Sequence, residues 1–153
     1  ETNMFKHILL PTDGSKLSDK AVKQAIKTAK ALGAKITAIH VTPNYARYVS
    51  ERYHVSAALA APVKTKYQEE AAALSKEILD QVCAAATAAG VECAQVSVTS
   101  DSPYEAIIKQ AAKSGCDLIM MASHGRKGLQ GMLLGSETQK VLIHSKVPAL
   151  VCR

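Results

Sequence analysis

Glycine is crowded into one stretch of this chain, and the crowding marks a place where chemistry can happen. Four of the eight glycines, Gly125, Gly128, Gly131 and Gly135, fall between Ala122 and Ser136. Glycine permits positive φ and lets the main chain approach a ligand closely, so peptide N–H groups there can converge on an anion. The stretch follows Leu118-Ile119-Met120-Met121, an apolar run that reads as a buried strand. It precedes Glu137 to Ile143, which reads as a helix. A helix opening at Ser136 would direct the positive end of its dipole at the same spot. Strand, glycine-rich loop and helix start, in that order, suggest a phosphate cradle.

Side chains around the loop offer little for catalysis. Ser123 and His124 are adjacent, and neighbours on an extended backbone point to opposite sides, so a nucleophile–base pair is not expected. No Glu or Gln in the loop is convincingly placed to activate water, and His124 is the one plausible base, so any hydrolysis of a bound phosphate ester should be slow. No catalytic residue is assigned. Two phosphate motifs are missing: GxxxxGK[ST], and GxGxxG after the first strand. Their absence argues against a P-loop NTPase and a nicotinamide enzyme. His7, His40, His54 and His144 show no metal spacing and read as structural or surface residues. Cys83, Cys93, Cys116 and Cys152 form no CxxC pair, and all four are expected to be buried free thiols.

The elements needed to position the loop can be followed along the chain. Phe5 to Pro11 reads as a strand ending in a Pro-Thr-Asp-Gly turn. A helix from about Ser15 to Leu32 follows, with Gly33 suited to its C-terminal cap. Lys35 to Val41 is a β-branched strand. Pro43 to Pro62 is a long, partly helical connection in which Tyr45, Tyr48 and Tyr53 pack, in preference to folding over a nucleotide base. A helix over 63–89 ends at Gly90, and Glu92 to Val98 forms the third strand. Ser102-Pro103-Tyr104-Glu105 predicts a capping box for a helix reaching Ser114. Ser136 to Gln139 predicts a second, with Ser136 as N-cap. Asp117 to Met121 and Ala149 to Cys152 complete five strands.

Strict β–α alternation calls for a parallel sheet with helices on both faces. Ligands bind such sheets beyond the carboxyl ends of the strands, where the strand order reverses. If the first and fourth strands are neighbours, Pro11-Thr12-Asp13, His40-Val41-Thr42 and the glycine loop meet there.

The 153 residues suit one domain, 4–153, with residues 1–3 reading as an addition ahead of a natural start at Met4. The chain is 48% hydrophobic and 21% charged, ordinary for a globular protein, and no apolar run approaches a membrane span. No signal peptide is visible, so a cytoplasmic protein is expected. The net charge is +6, much of it from Lys16, Lys20, Lys23, Lys27 and Lys30, which fall on one helical face. That stripe reads as a solvated face, or more sharply as a landing strip for an acidic partner or nucleic acid. No aromatics are interleaved with the lysines, which makes nucleic acid the weaker reading.

The motifs taken together resemble the universal stress protein family. Its ATP-binding pattern, G-x2-G-x9-G-[ST], is met in its second half by Gly125, the nine residues Arg126 to Leu134, and Gly135-Ser136. Ala122 stands where the first glycine belongs, a departure compatible with close backbone approach unless positive φ is needed there. Ile8 to Ser15 resembles the family's opening strand and turn, and Val147 to Val151 its terminal strand.

The resemblance implies a single-domain, Rossmann-like α/β fold of the adenine nucleotide alpha-hydrolase type, doubly wound, with five mainly parallel strands in the order 3-2-1-4-5. It implies ATP, ADP or AMP as ligand, with Mg²⁺ carried on the phosphates. Asp13 would lie near the ribose or the metal–phosphate region, although Asp-Gly also reads as a plain turn. Val41 would contact adenine, although it also reads as core. Gly125, Gly135 and Ser136 would hold phosphates, with Thr138 assisting. Arg126 either neutralises phosphate charge or solubilises the loop. The candidate binding set is Pro11, Thr12, Asp13, Val41, Met121, Ala122, His124, Gly125, Arg126, Gly135, Ser136, Glu137 and Thr138.

Retention of Gly125 and Gly135-Ser136 places the chain with the family's nucleotide binders, as a regulatory or stress-response protein. The resemblance also implies a homodimer through Ala149 to Cys152, with a protein partner not identified. The rival readings are a slow ATPase and an interaction module that ignores nucleotide.

Overall fold

A computed structural model, described over residues 3–54, 64–125 and 134–153, places every strand in one parallel sheet. The chain runs β1 (His7–Pro11), α1 (Lys16–Leu32), β2 (Lys35–Thr42), α2 (Tyr45–Tyr53), α3 (Lys64–Ala88), β3 (Cys93–Thr99), α4 (Pro103–Ser114), β4 (Leu118–Ala122), α5 (Ser136–His144) and β5 (Ala149–Cys152). The sheet order is β3-β2-β1-β4-β5, as expected, so the winding direction reverses between β1 and β4. Among the described residues no helix is long and apolar enough to cross a membrane.

Alternation along each strand sorts the side chains into two layers. Ile8, Leu10, Ile36, Ala38, Leu118 and Met120 pack under α1 and α3. Leu9, Ile39, Ile119 and Met121 pack under α4 and α5 with Ile107, Ala111 and Val141. Because both faces are covered, β1 and β4 read as continuous apolar runs rather than alternating ones. All of β4 is buried.

On α1 the inward stripe is Ala21, Val22, Ala25, Ile26 and Ala29, and the five lysines are exposed opposite it. Ser15 caps its start by accepting from the Ser18 N–H at 3.2 Å. Gly33 closes its end at φ 65°, a left-handed conformation that a side chain would oppose. The connection after β2 is helical over α2, and residues 55–63 lie outside the described residues. Tyr45 and Tyr48 stack on Tyr67, whose hydroxyl donates to the Pro43 carbonyl at 2.9 Å. The packed reading of these two tyrosines is what the structure shows.

Three sequence-based expectations need correction here. Cys83 and Cys93 are joined in a disulfide, whereas Cys116 and Cys152 are buried free thiols. The short turn after α3 folds β3 back against the helix's last turns and sets the two Cα atoms 5.3 Å apart. That lies within bonding range, and a search for CxxC spacing misses it. The Ser102 side chain accepts no capping hydrogen bond from α4. The Tyr104 N–H is instead taken by the Glu137 carboxylate, from α5, at 2.9 Å. On α5 the N-cap is Gly135, and Ser136 is already the first helical residue, too late for its hydroxyl to cap. Gln139 reaches the Leu134 carbonyl instead of closing a box.

Two histidines are buried and hydrogen-bonded: His7 Nε2 to Thr37 Oγ1 at 2.7 Å, and His40 Nδ1 to Ser75 Oγ at 2.9 Å. Burial, with the Lys35 ammonium adding to it, lowers the His7 pKa from its ordinary 6.5. The unfolded chain therefore takes up this proton at higher pH than the folded one. The contribution is complete above about pH 6.5 and is lost as pH falls below it. Urea unfolding should give a lower midpoint at about pH 5.5 than at about pH 7.5, with the difference reduced in His7→Gln.

Candidate functional site

The crevice forms where β1 and β4 part at their carboxyl ends. β1 stays on β2 until the Thr12 N–H donates to the Ile39 carbonyl at 3.0 Å, and the chain then turns away. Odd-numbered residues of β2 direct their backbone groups at β1, as the links Lys35–Lys6 and Thr12–Ile39 show. Even-numbered ones address β3, as the Ser100–Thr42 link shows. Val41 is the next odd residue after Ile39. Its N–H and C=O therefore face the space that β1 has left, with no backbone partner among the described residues.

The turn after β1 is held by short polar side chains. Thr12 Oγ1 accepts from Ser18 Oγ at 2.7 Å, and Ser18 Oγ accepts from the Asp13 N–H at 3.3 Å. Asp13 Oδ1 accepts from the Ser15 N–H at 2.9 Å, so Asp13 does fill the turn role. Its other oxygen, Oδ2, is pressed toward Gly125: a Cβ there would lie 2.8 Å away. Gly125 thus lets the loop after β4 close on the turn after β1. Ser18 shapes this corner, and sequence reasoning missed it; its place one helical turn after Ser15 was the available signal.

The end of β4 is sewn to α5. Ser123 N–H donates to the Cys152 carbonyl at 2.9 Å, and Gly135 N–H donates to the Ser123 carbonyl at 2.6 Å. Thr138 Oγ1 donates to the Ala122 carbonyl at 3.0 Å. A Cβ on Gly135 would lie 3.2 Å from the Ser123 oxygen and 3.3 Å from His124 Cα. Backbone meets backbone there, which explains that glycine. Ala122 needs no such freedom. Among the described residues His54 alone of the non-glycines has positive φ, and the Ala122 methyl faces the α1–α3 layer.

The first four N–H groups of any helix lack intrahelical acceptors. On α5 the Gly135 N–H goes to Ser123, and among the described residues no side chain caps the remainder. The amides of Ser136, Glu137 and Thr138 are left at the crevice together with the positive end of the dipole. Glu137 sends its carboxylate away to Tyr104 and to Lys140 Nζ at 3.3 Å.

His124 departs from expectation. Its Nδ1 lies 3.1 Å from Ser123 Oγ, because the chain bends at Ser123 and the alternation rule no longer holds. Ser123 is 4% exposed, which withholds it from attack on a substrate. His124 Nε2 is buried with no hydrogen-bond partner among the described residues. A buried polar atom left this way costs about 1–3 kcal/mol.

The structure therefore brings Thr12, Asp13, Val41, Ala122, His124, Gly125, Gly135, Ser136, Glu137 and Thr138 around one crevice, with Pro11 at the last position of β1. Met121 is core, packed with Ile119 and Val141. Arg126 lies outside the described residues. Among the described residues no group of three or more His, Cys, Asp or Glu is placed to hold a metal ion.

A family model described as the universal stress protein family matches residues 4–153. Universal stress protein MJ0577 of Methanocaldococcus jannaschii is 32% identical over 164 residues, covering 98% of this chain and 96% of that one. Universal stress protein UspA from Lactobacillus plantarum superposes with a TM-score of 0.80 at 24% identity, over 97% of each chain. A universal stress protein in complex with cAMP gives 0.66 at 23% identity, over 97% of both chains. Another, from Archaeoglobus fulgidus in complex with dAMP, gives 0.67 at 15% identity, over 99% of this chain and 100% of that one. These likenesses below 25% identity bear on the fold alone.

Proposed function

Since the chain belongs to the universal stress protein family, we propose that it binds an adenine nucleotide (ATP, ADP or AMP) in the crevice between β1 and β4, and acts as a homodimeric regulatory protein. The observation that carries this reading is the convergence of unused main-chain groups from two elements. The Val41 N–H and C=O form a donor–acceptor pair, which suits the edge of adenine with its ring nitrogen acceptor and amino donor. The α5 amides and dipole suit phosphate. Asp13, between them, suits ribose hydroxyls. Two proteins of the same fold hold cAMP and dAMP, so the fold itself can accommodate an adenylate.

Roles follow from geometry. The Ser136 hydroxyl, not used for capping, adds a donor beside the amides. The Thr138 hydroxyl is committed to Ala122, leaving its N–H. His124 Nε2 gains in a ligand oxygen the partner it lacks. Among the described residues there is no metal cage, so Mg²⁺ fits as a passenger on the phosphates, where it neutralises charge and keeps its waters, with Asp13 the carboxylate at hand. None of the described residues positions a base on water, and turnover is expected below about 1 s⁻¹.

β5 pairs with β4 on one side only, and Leu150 is 44% exposed on it. Such an edge invites a second copy. Isothermal titration with AMP and ATP, and sedimentation of the same samples, test both parts. Saturable heat and a dimer are expected. No heat at millimolar nucleotide removes the ligand, and a monomer removes the dimer. A dimer that ignores nucleotide would leave the interaction module standing.

A further inference from the structure

The Cys83–Cys93 disulfide joins the last turns of α3 to the first residue of β3, and its two halves are unequally placed. Cys83 is 8% exposed and belongs to the apolar layer under α1 and α3, with Leu79, Val82 and Ala86. Cys93 is half-buried, and Ala94 and Gln95 after it are exposed. β3 is also an edge of the sheet. Its even-numbered positions turn their backbone groups to β2, as the Ile36–Glu92 and Ser100–Thr42 links show. Those of Cys93 therefore face away from the sheet, with no partner among the described residues. A small molecule can reach the Cys93 sulfur along this open edge, while the Cys83 sulfur stays within the packed layer.

We propose that Cys93 is a thiol-exchange site, at which a low-molecular-weight thiol forms a mixed disulfide that Cys83 resolves. The incoming thiolate bonds to Cys93 Sγ as the bond to Cys83 Sγ breaks. The electron pair leaves on Cys83, which takes up a proton. That new thiol has an acceptor at hand in the Ala94 carbonyl oxygen, 3.7 Å from Cys83 Sγ. A second small thiol then attacks the small-molecule sulfur, frees Cys93 and leaves as the symmetrical disulfide. Two small thiols have thus given two electrons to the protein, which now holds two thiols.

In the other direction a small disulfide adds to Cys93, and Cys83 expels the small thiol as the protein disulfide closes. Cα atoms 5.3 Å apart suit that closure without backbone movement. Cys116 and Cys152, each 6% exposed, stay outside the exchange. The inference does not depend on nucleotide binding.

The test starts from the reduced full chain, freed of reductant and treated with glutathione disulfide, with adducts located by mass spectrometry. The parent should close to the Cys83–Cys93 disulfide and keep no glutathione. Acid quenching part-way should catch the adduct on Cys93. Cys83→Ala, whose folding is checked by circular dichroism, has no resolving thiol and should hold one glutathione on Cys93. Cys93→Ala should be modified at Cys83 at least about tenfold more slowly, a contrast that unfolding in urea should abolish. Quenched adducts shared equally between Cys83 and Cys93 overturn the proposal. So does a folded Cys83→Ala that stays unmodified at millimolar glutathione disulfide, and so does a parent that retains glutathione. Should Cys83→Ala fail to fold, the quenched parent decides alone.

Discussion

Gly135→Val is expected to bind AMP about a hundredfold more weakly than the parent chain while remaining folded. The atoms a Cβ would meet at Gly135 are the Ser123 carbonyl oxygen and His124 Cα, both backbone. Neither can rotate aside, so a larger side chain must push the first turn of α5 off the end of β4. The amides of Ser136, Glu137 and Thr138 move with it. A hydrogen bond to a charged group contributes about 1.5–3 kcal/mol, and losing two at the lower figure is about a hundredfold in affinity. The fold should survive, because overpacking of this kind costs about 1–3 kcal/mol and Val141, fully buried, still anchors the helix. Gly125→Ala is the contrasting variant. Its Cβ meets the tip of the Asp13 side chain, which can turn away by giving up the Ser15 N–H, so a smaller loss is expected. Titration with AMP, beside a thermal midpoint for each variant, separates binding from stability. Unchanged AMP affinity in Gly135→Val would mean that phosphate does not sit on α5.

What the sequence made legible was whatever depends on local pattern. The apolar runs of β1 and β4 announce strands covered on both faces, and β–α alternation with right-handed crossovers leaves few ways to order five strands. Gly33 and Gly115 close their helices in left-handed conformations, as helix-end glycines are expected to. The crowding of glycines after β4 pointed to the crevice itself.

The misses share a different cause, because each turns on a partner distant in sequence or on the path of the chain at a single bend. Ser102 has the right neighbours for a capping box. The Glu137 carboxylate, 33 residues further on, takes the Tyr104 N–H in its place. Ser136 is displaced from the N-cap by one residue, because Gly135 is the last residue that can press flat against Ser123. The Ser123–His124 contact depends on a bend that residue types do not announce. Val41 is plainest of all: as a side chain it is one more β-branched core residue. Its interest lies in backbone groups left unpaired by the point at which β1 departs. Only the register shows that.

Reduction of the Cys83–Cys93 disulfide is expected to lower stability by about 3 kcal/mol, the entropy released when so short a closed loop is opened in the unfolded chain. The two cysteines are separated by 10 positions. For a chain of 153 residues that is a fall of about 6–12 °C in thermal midpoint. Cys83→Ala should reproduce it without a reductant. The other two thiols should not interfere by exchange. Burial pushes Cys116 up to about 11 and raises Cys152 as well, so neither is a thiolate at neutral pH. AMP affinity should stay constant, because Cys93 opens β3 at the amino ends of the strands and the crevice lies at their carboxyl ends. β3 is seven residues long, which separates the two by about 20 Å. Calorimetry with and without a dithiol, followed by nucleotide titration of the reduced protein, reads both quantities. A compartment held reducing by glutathione keeps such a pair as thiols, so the protein there must fold on its packed layers alone. An unchanged midpoint would show that the two sulfurs are not joined in solution. A midpoint that falls together with AMP affinity would show instead that α3 transmits the state of its last turns to the connection packed on Tyr67.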